Sequence, residues 1–146
     1  MDSRYDVSDE EQIFWLISSP NGYNEVTGLS ADNFMLFKDN ESYVSVERAL
    51  FCTLDEAFVN GERIRNWFTV GESLWGAAIL NVGKVRKHPS LDVVSKYTES
   101  HPGHAGIQMY LNNGLPYRFK KGKPTPMHIL ALQTYLVSIV EQIRKR

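Results

Sequence analysis

The residues best able to do chemistry gather in one short segment, Glu99-Ser100-His101-Pro102-Gly103-His104-Ala105-Gly106. Histidine titrates near neutral pH and is the commonest general acid or base, so His101 and His104 are candidates for proton transfer. Two neutral imidazoles this close could also ligate a metal, with a third ligand from Glu99, Asp92, His88 or His128. Established zinc patterns set two histidines on one helical face around a glutamate, or combine histidine with several cysteines, and neither is here. A Pro-Gly turn flanked by polar residues explains the segment more simply, and no metal or other cofactor is expected.

Arg48 closes the run Tyr43-Val44-Ser45-Val46-Glu47-Arg48, and strict alternation puts it on the side of Val44 and Val46. If the valines face inward, the arginine needs a carboxylate, a cluster of carbonyls or an anionic ligand to offset its desolvation. The plainer expectation is that Arg48 ends the strand and reaches water. A strand starting near His104 would place His104, Gln108 and Tyr110 on one face and Ile107, Met109 and Leu111 on the other. His101, His104, Arg48 and Tyr110 are thus the candidate set for a small hydrolase or transferase, with Arg48 as its anion clamp.

Cys52 precedes Thr53 at a predicted helix N-terminus, where a thiol pKa can be lowered. A lone cysteine beside Phe51 is more often a small core residue. Residues Tyr117 to Pro124 interleave aromatics with Arg118, Lys120, Lys121 and Lys123, a combination suited to stacking on unpaired bases beside phosphate neutralisation. No complete nucleic-acid motif, Walker sequence or dinucleotide fingerprint accompanies them.

Short elements must position these residues. Ser8-Asp9-Glu10-Glu11 has capping-box spacing and predicts a helix over about 9–18, followed by a turn at Pro20-Asn21-Gly22. Phe34 to Phe37 and Tyr43 to Arg48 read as a hairpin around Lys38-Asp39-Asn40-Glu41. Thr53-Leu54-Asp55-Glu56 is a second capping box, opening a helix over about 54–66 that buries Leu54, Ala57, Phe58 and Ile64, with Gly61 as its weak point. Residues 74–82 are apolar on both alternating faces and predict the central strand. Lys84 to Lys87 would continue as an exposed edge, and further strands are expected over 91–97 and 106–111, the latter ended by an Asn112-Asn113-Gly114 turn. The clearest helix is C-terminal: Thr125 as cap, Pro126 at its first position, and a stripe of Ile129, Leu132, Leu136, Ile139 and Ile143. That stripe must bury itself against the sheet or against a second copy of the chain.

A length of 146 residues with 42% hydrophobic, 12% aromatic and 23% charged content fits one folded domain. One cysteine excludes an internal disulfide framework, and the acidic start resembles neither a secretory signal nor a transit peptide. No apolar run reaches the roughly 18 residues a bilayer needs, so a cytoplasmic protein without membrane contact is expected. Net charge is −1, yet residues 118–146 carry +6 and residues 1–117 carry −7. Attraction between a basic C-terminal region and an acidic body is the plainer account of that asymmetry, and a phosphate-binding patch the sharper one.

The expected fold is therefore α+β: a single domain with a mostly antiparallel sheet of about four to six strands, packed by two or three helices. For function, an accessory protein-binding module is preferred, including self-association as a homodimer through an apolar helix face. The alternatives are the small hydrolase or transferase and a nucleic-acid-binding protein using the basic loop and C-terminal tail.

Overall fold

The computed structural model describes residues 2–19, 23–24, 28–30, 40–64 and 73–146. Strands β1 (Gln12–Ser19), β4 (Tyr43–Arg48), β5 (Ser73–Asn81), β6 (Leu91–Ser95), β7 (His104–Met109) and β8 (Gln142–Lys145) form one antiparallel sheet in the order β6-β7-β4-β1-β5-β8. A separate two-stranded ribbon pairs β2 (Tyr23–Asn24) with β3 (Gly28–Leu29). The helices are α1 (Leu54–Ile64), α2 (Val82–Arg86) and α3 (Met127–Ser138). This is the α+β architecture expected from the sequence. Among the described residues no helix is long and apolar enough to cross a membrane.

The pleat sorts the side chains into two layers. Ile13, Trp15, Ile17, Val44, Val46, Ala78, Leu80, Val93, Ala105, Ile107 and Met109 face one side and pack with Val82 and Val85 of α2 and Ile129, Leu132 and Leu136 of α3. On the other side α1 sets Ala57 and Phe58 against Phe14, Leu16, Ala77 and Ile79. The Thr53 capping box forms reciprocally, with the Thr53 amide donating to Glu56 Oε1 at 3.0 Å and the Glu56 amide to Thr53 Oγ1 at 3.2 Å. Gly61 is what lets α1 lie so close to the sheet, since a Cβ there would run into the Leu16 side chain.

Several expectations are corrected. Residues 12–19 are a strand, not part of a helix over 9–18. The Ser8 amide does reach Glu11 Oε2 at 2.8 Å, but it closes a turn, and the apolar, aromatic run after it has no polar face to offer water and is buried between two layers. Residues 82–86 form α2 rather than an edge strand, because Asn81 caps the Lys84 amide at 3.0 Å. Strand β5 lies one in from the β8 edge, and β4 and β1 are the central pair. The C-terminal helix stops at Ser138, with Pro126 rather than Thr125 at its N-cap. Beyond it, β-branched Val140 and Ile143 belong to a segment that turns back and supplies β8 as a partner for β5. The helix stripe is buried in its own chain by Ile129, Leu132 and Leu136, while Met127 and Leu130 face outward. The strand expected over Phe34 to Phe37, the turn at Pro20-Asn21-Gly22 and the Ile64 side chain lie outside the described residues.

Arg48 does not reach water. It is fully buried, donating through Nε to Glu11 Oε1 at 2.7 Å and through Nη2 to Glu11 Oε2 at 2.8 Å. The Asp6 and Arg4 carbonyls accept from the same guanidinium at 3.1 and 3.3 Å. Arg86 clasps the same N-terminal segment through the Val7 carbonyl at 2.7 Å and Asp9 at 2.8 Å, and it also takes the Val93 carbonyl on β6 at 2.9 Å. The chain start therefore lies along the β6 edge, where an open strand would invite pairing. Burial pushes the Glu11 carboxyl upward, but hydrogen bonds from Arg48 and the Ser8 amide outweigh it and hold its pKa below the ordinary value.

Replacing Arg48 by methionine should cost about 3–5 kcal/mol in chemical denaturation, because Glu11 is left as an unpaired, largely buried charge. The double replacement Glu11→Leu with Arg48→Met should recover most of that loss. Stability also drains as pH falls below the unfolded glutamate value, and that acid dependence should be smaller in the double variant.

Candidate functional site

Glu47 and Arg48 are adjacent, so the pleat sends them to opposite sides of the sheet. Glu47 pairs across to Phe14 on β1 and to His104 on β7, which puts all three on the side that carries α1. Its side chain is 7% exposed. The partner it finds is His101, whose Nε2 lies 2.5 Å from Glu47 Oε1. Burial pushes the Glu47 pKa above the ordinary carboxylate value, and the charge and hydrogen bond of His101 work against that rise.

His101 is delivered by a tight turn between β6 and β7. Its amide donates to the Thr98 hydroxyl and carbonyl, both at 3.1 Å, and the Arg48 amide donates to the Gly103 carbonyl at 2.8 Å. The Pro-Gly pair lets the turn press onto β4: a Cβ on Gly103 would lie 3.3 Å from Glu47 Oε2 and 3.4 Å from Phe51 Cβ. His104 begins β7, and its ring stacks parallel on that of His101 with centroids 4.8 Å apart. Its Nε2 lies 3.4 Å from Ser45 Oγ. Burial, then the neighbouring His101 and Lys96, lower the His104 pKa, which favours the neutral imidazole.

An open cleft of about 450 Å³ lies over this pair, lined by Arg63, Thr98, Ser100, His101 and His104. Arg63 comes from the last turn of α1 and donates to Asn60 Oδ1 at 3.2 Å. Strands β4, β7 and β6 continue the same face as a half-buried polar row. Tyr43 sits opposite Gln108, and Gln108 opposite Asp92. The Tyr43 ring lies on Gly106, where a Cβ would come within 2.5 Å, and carries the Lys96 ammonium 4.5 Å from its centroid. Tyr110 donates to Gln108 Oε1 at 2.7 Å.

Of the candidate set, His101 and His104 share the cleft. Arg48 lies behind it on the opposite side of the sheet, held by Glu11 and two carbonyls. Tyr110 sits at the far end of β7, six residues along from His104, about 20 Å at the rise of an extended strand. Glu47 and Arg63 were not singled out from the sequence. Alternation does set Glu47 against Val46 and Arg48, but only the packed turn reveals that His101 covers it, and Arg63 reads as one more exposed helix cation.

Cys52 Sγ lies 4.0 Å from Glu47 Oε2 and 3.5 Å from the Arg48 carbonyl. Burial and the charges of Glu47 and Glu56 push its pKa up to about 12, against the expectation for a thiol at a helix start. The basic residues Arg118, Lys120, Lys121 and Lys123 lie exposed on the connection from β7 to α3, where Lys120 bonds the Asn40 side chain. The basic tail lies on β8 beside β5, with Arg146 paired to Glu62. The connection is tied to the start of β4 through Asn40 and Glu41, so about three strand spacings, roughly 14 Å, separate the two. Among the described residues no group of three or more metal-ligating side chains forms. Comparisons with protein-family models, curated proteins and solved structures match nothing, so function is read from geometry alone.

Cys52 should react with iodoacetamide far more slowly at pH 8 than a free thiol does, because the thiolate is the nucleophile. The replacement Glu47→Gln should speed that reaction by removing a neighbouring negative charge. Labelling at the rate of a free cysteine would show that the thiol lies elsewhere.

Proposed function

We propose that the protein is a binding module that recognises a protein partner through the open half of its sheet, with the Glu47–His101–His104 cluster at one end of it. The observation that carries this reading is the buried Glu47 carboxylate gripping His101 at 2.5 Å, at the edge of a polar strand face that no described helix covers. Helix α1 packs on β1 and β5, leaving β4, β7 and β6 as a half-buried face with no described helix over it. A surface whose side chains are already fixed loses little conformational entropy on binding, and Tyr43, Gln108, Tyr110 and both histidines each have a partner holding them. The cleft is open rather than enclosing, which suits a protruding side chain of a partner better than a free small molecule.

A second reading, metal-free proton-transfer catalysis in a small hydrolase or transferase, is favoured by one specific observation. A carboxylate-held imidazole stands beside a neutral one, the arrangement that separates acid from base. Turnover of a substrate abolished by both His101→Ala and His104→Ala would mark it.

Ser45 is exposed on β4, beside His104 on the open half, so Ser45→Arg should leave stability within about 0.5 kcal/mol while obstructing the face. With extract from its own cells, immobilised wild-type protein and a Lys87→Glu control should retain the same partner, and Ser45→Arg should lose it. Retention unaffected by Ser45→Arg would contradict the assignment.

A further inference from the structure

Among the described residues, the walls of the cleft hold a guanidinium, two imidazoles and two hydroxyls, and no carboxylate. Glu47 lies behind them and is already engaged by His101. Arg63 is exposed, has the neutral Asn60 amide as its hydrogen-bond partner and makes no salt bridge among the described residues; Glu47 behind the cleft feels its charge only at longer range. Such a lining attracts an anion: a guanidinium presents a planar fork matched to an oxyanion, and hydroxyls and imidazole N–H groups add donors.

We infer that the cleft is a carboxylate-binding subsite, in which Arg63 receives an acidic side chain of the partner and Ser100, Thr98 and the two histidines surround it. This deepens the reading of the open face as a recognition surface and rests on it. The charge balance selects the carboxylate. Arg63 is the one permanently charged side chain among the described lining residues, and its single guanidinium fork is matched by one carboxylate. A phosphate monoester brings about −1.5 to −2 and would be left partly uncompensated.

The test uses the whole chain and free probes, so it does not depend on finding the partner. Acetate, a hexaglutamate peptide and inorganic phosphate are each titrated to about 20 mM, enough to reveal a millimolar site, while the His101 and His104 ring signals are followed by NMR. The expected result is saturable movement of both histidines with acetate and hexaglutamate. Affinity for hexaglutamate should fall about tenfold in Arg63→Ala and weaken with added salt, while Lys87→Ala changes nothing. Movement that persists unchanged in Arg63→Ala, or no movement with either carboxylate probe, overturns the subsite. Phosphate binding more tightly than hexaglutamate through the same residues overturns the choice of carboxylate. If carboxylates bind in an Arg63-dependent way but Ser45→Arg retains its partner, the anion site stands and the partner-docking reading alone falls.

Discussion

Two buried charges of opposite sign stand side by side at the end of a central strand, and the geometry of that strand forbids them from pairing. An extended chain sends successive side chains to opposite faces, so Arg48 enters the apolar layer while Glu47 enters the side that carries α1, under the turn that bears His101. Each must be compensated from a different part of the sequence, since an uncompensated charge in either layer costs several kcal/mol. Arg48 draws in Glu11 and the carbonyls of Arg4 and Asp6. Glu47 draws in His101.

Those two demands organise much of what surrounds them. The first ties the N-terminal segment across the sheet, where Arg86 and Ser95 hold it against β6 and close that edge. The opposite edge, β8, is wholly exposed and carries Arg144 and Lys145, charges that discourage pairing with another chain. The second demand fixes the turn from Thr98 to Gly103 over the end of β4, which brings His104 and the mouth of the cleft into position. The anchoring of the N-terminal segment on one face and the placement of the cleft on the other thus follow from one dipeptide.

Much of this was legible in the sequence, and the failures have physical causes. Capping chemistry located the start of α1 because Thr53 and Glu56 satisfy each other locally. The same pattern at Ser8 and Glu11 misled, because the bond from the Ser8 amide to Glu11 closes a turn and the following run is held by pairing with β4 and β5. The C-terminal helix was overextended because Ile139 and Ile143 fit a helical stripe as well as they fit a turn and an edge strand. Alternation did state the alternatives for Arg48 correctly, including a carboxylate or carbonyl cluster, but the number of partners waiting for it is a tertiary fact. His101 and His104 could be named from their residue types, whereas Glu47 and Arg63 join them only through the fold.

The central claim is that Glu47 and His101 hold one another and that this contact fixes the site. A double-mutant cycle measured by urea denaturation, with Glu47→Ala, His101→Ala and the pair, tests it most directly. Contact within one buried network predicts a coupling energy of about 1–3 kcal/mol, with His101→Ala costing little once Glu47 is gone. Additive effects, within about 0.3 kcal/mol, would mean that the two side chains do not hold one another and would contradict the account.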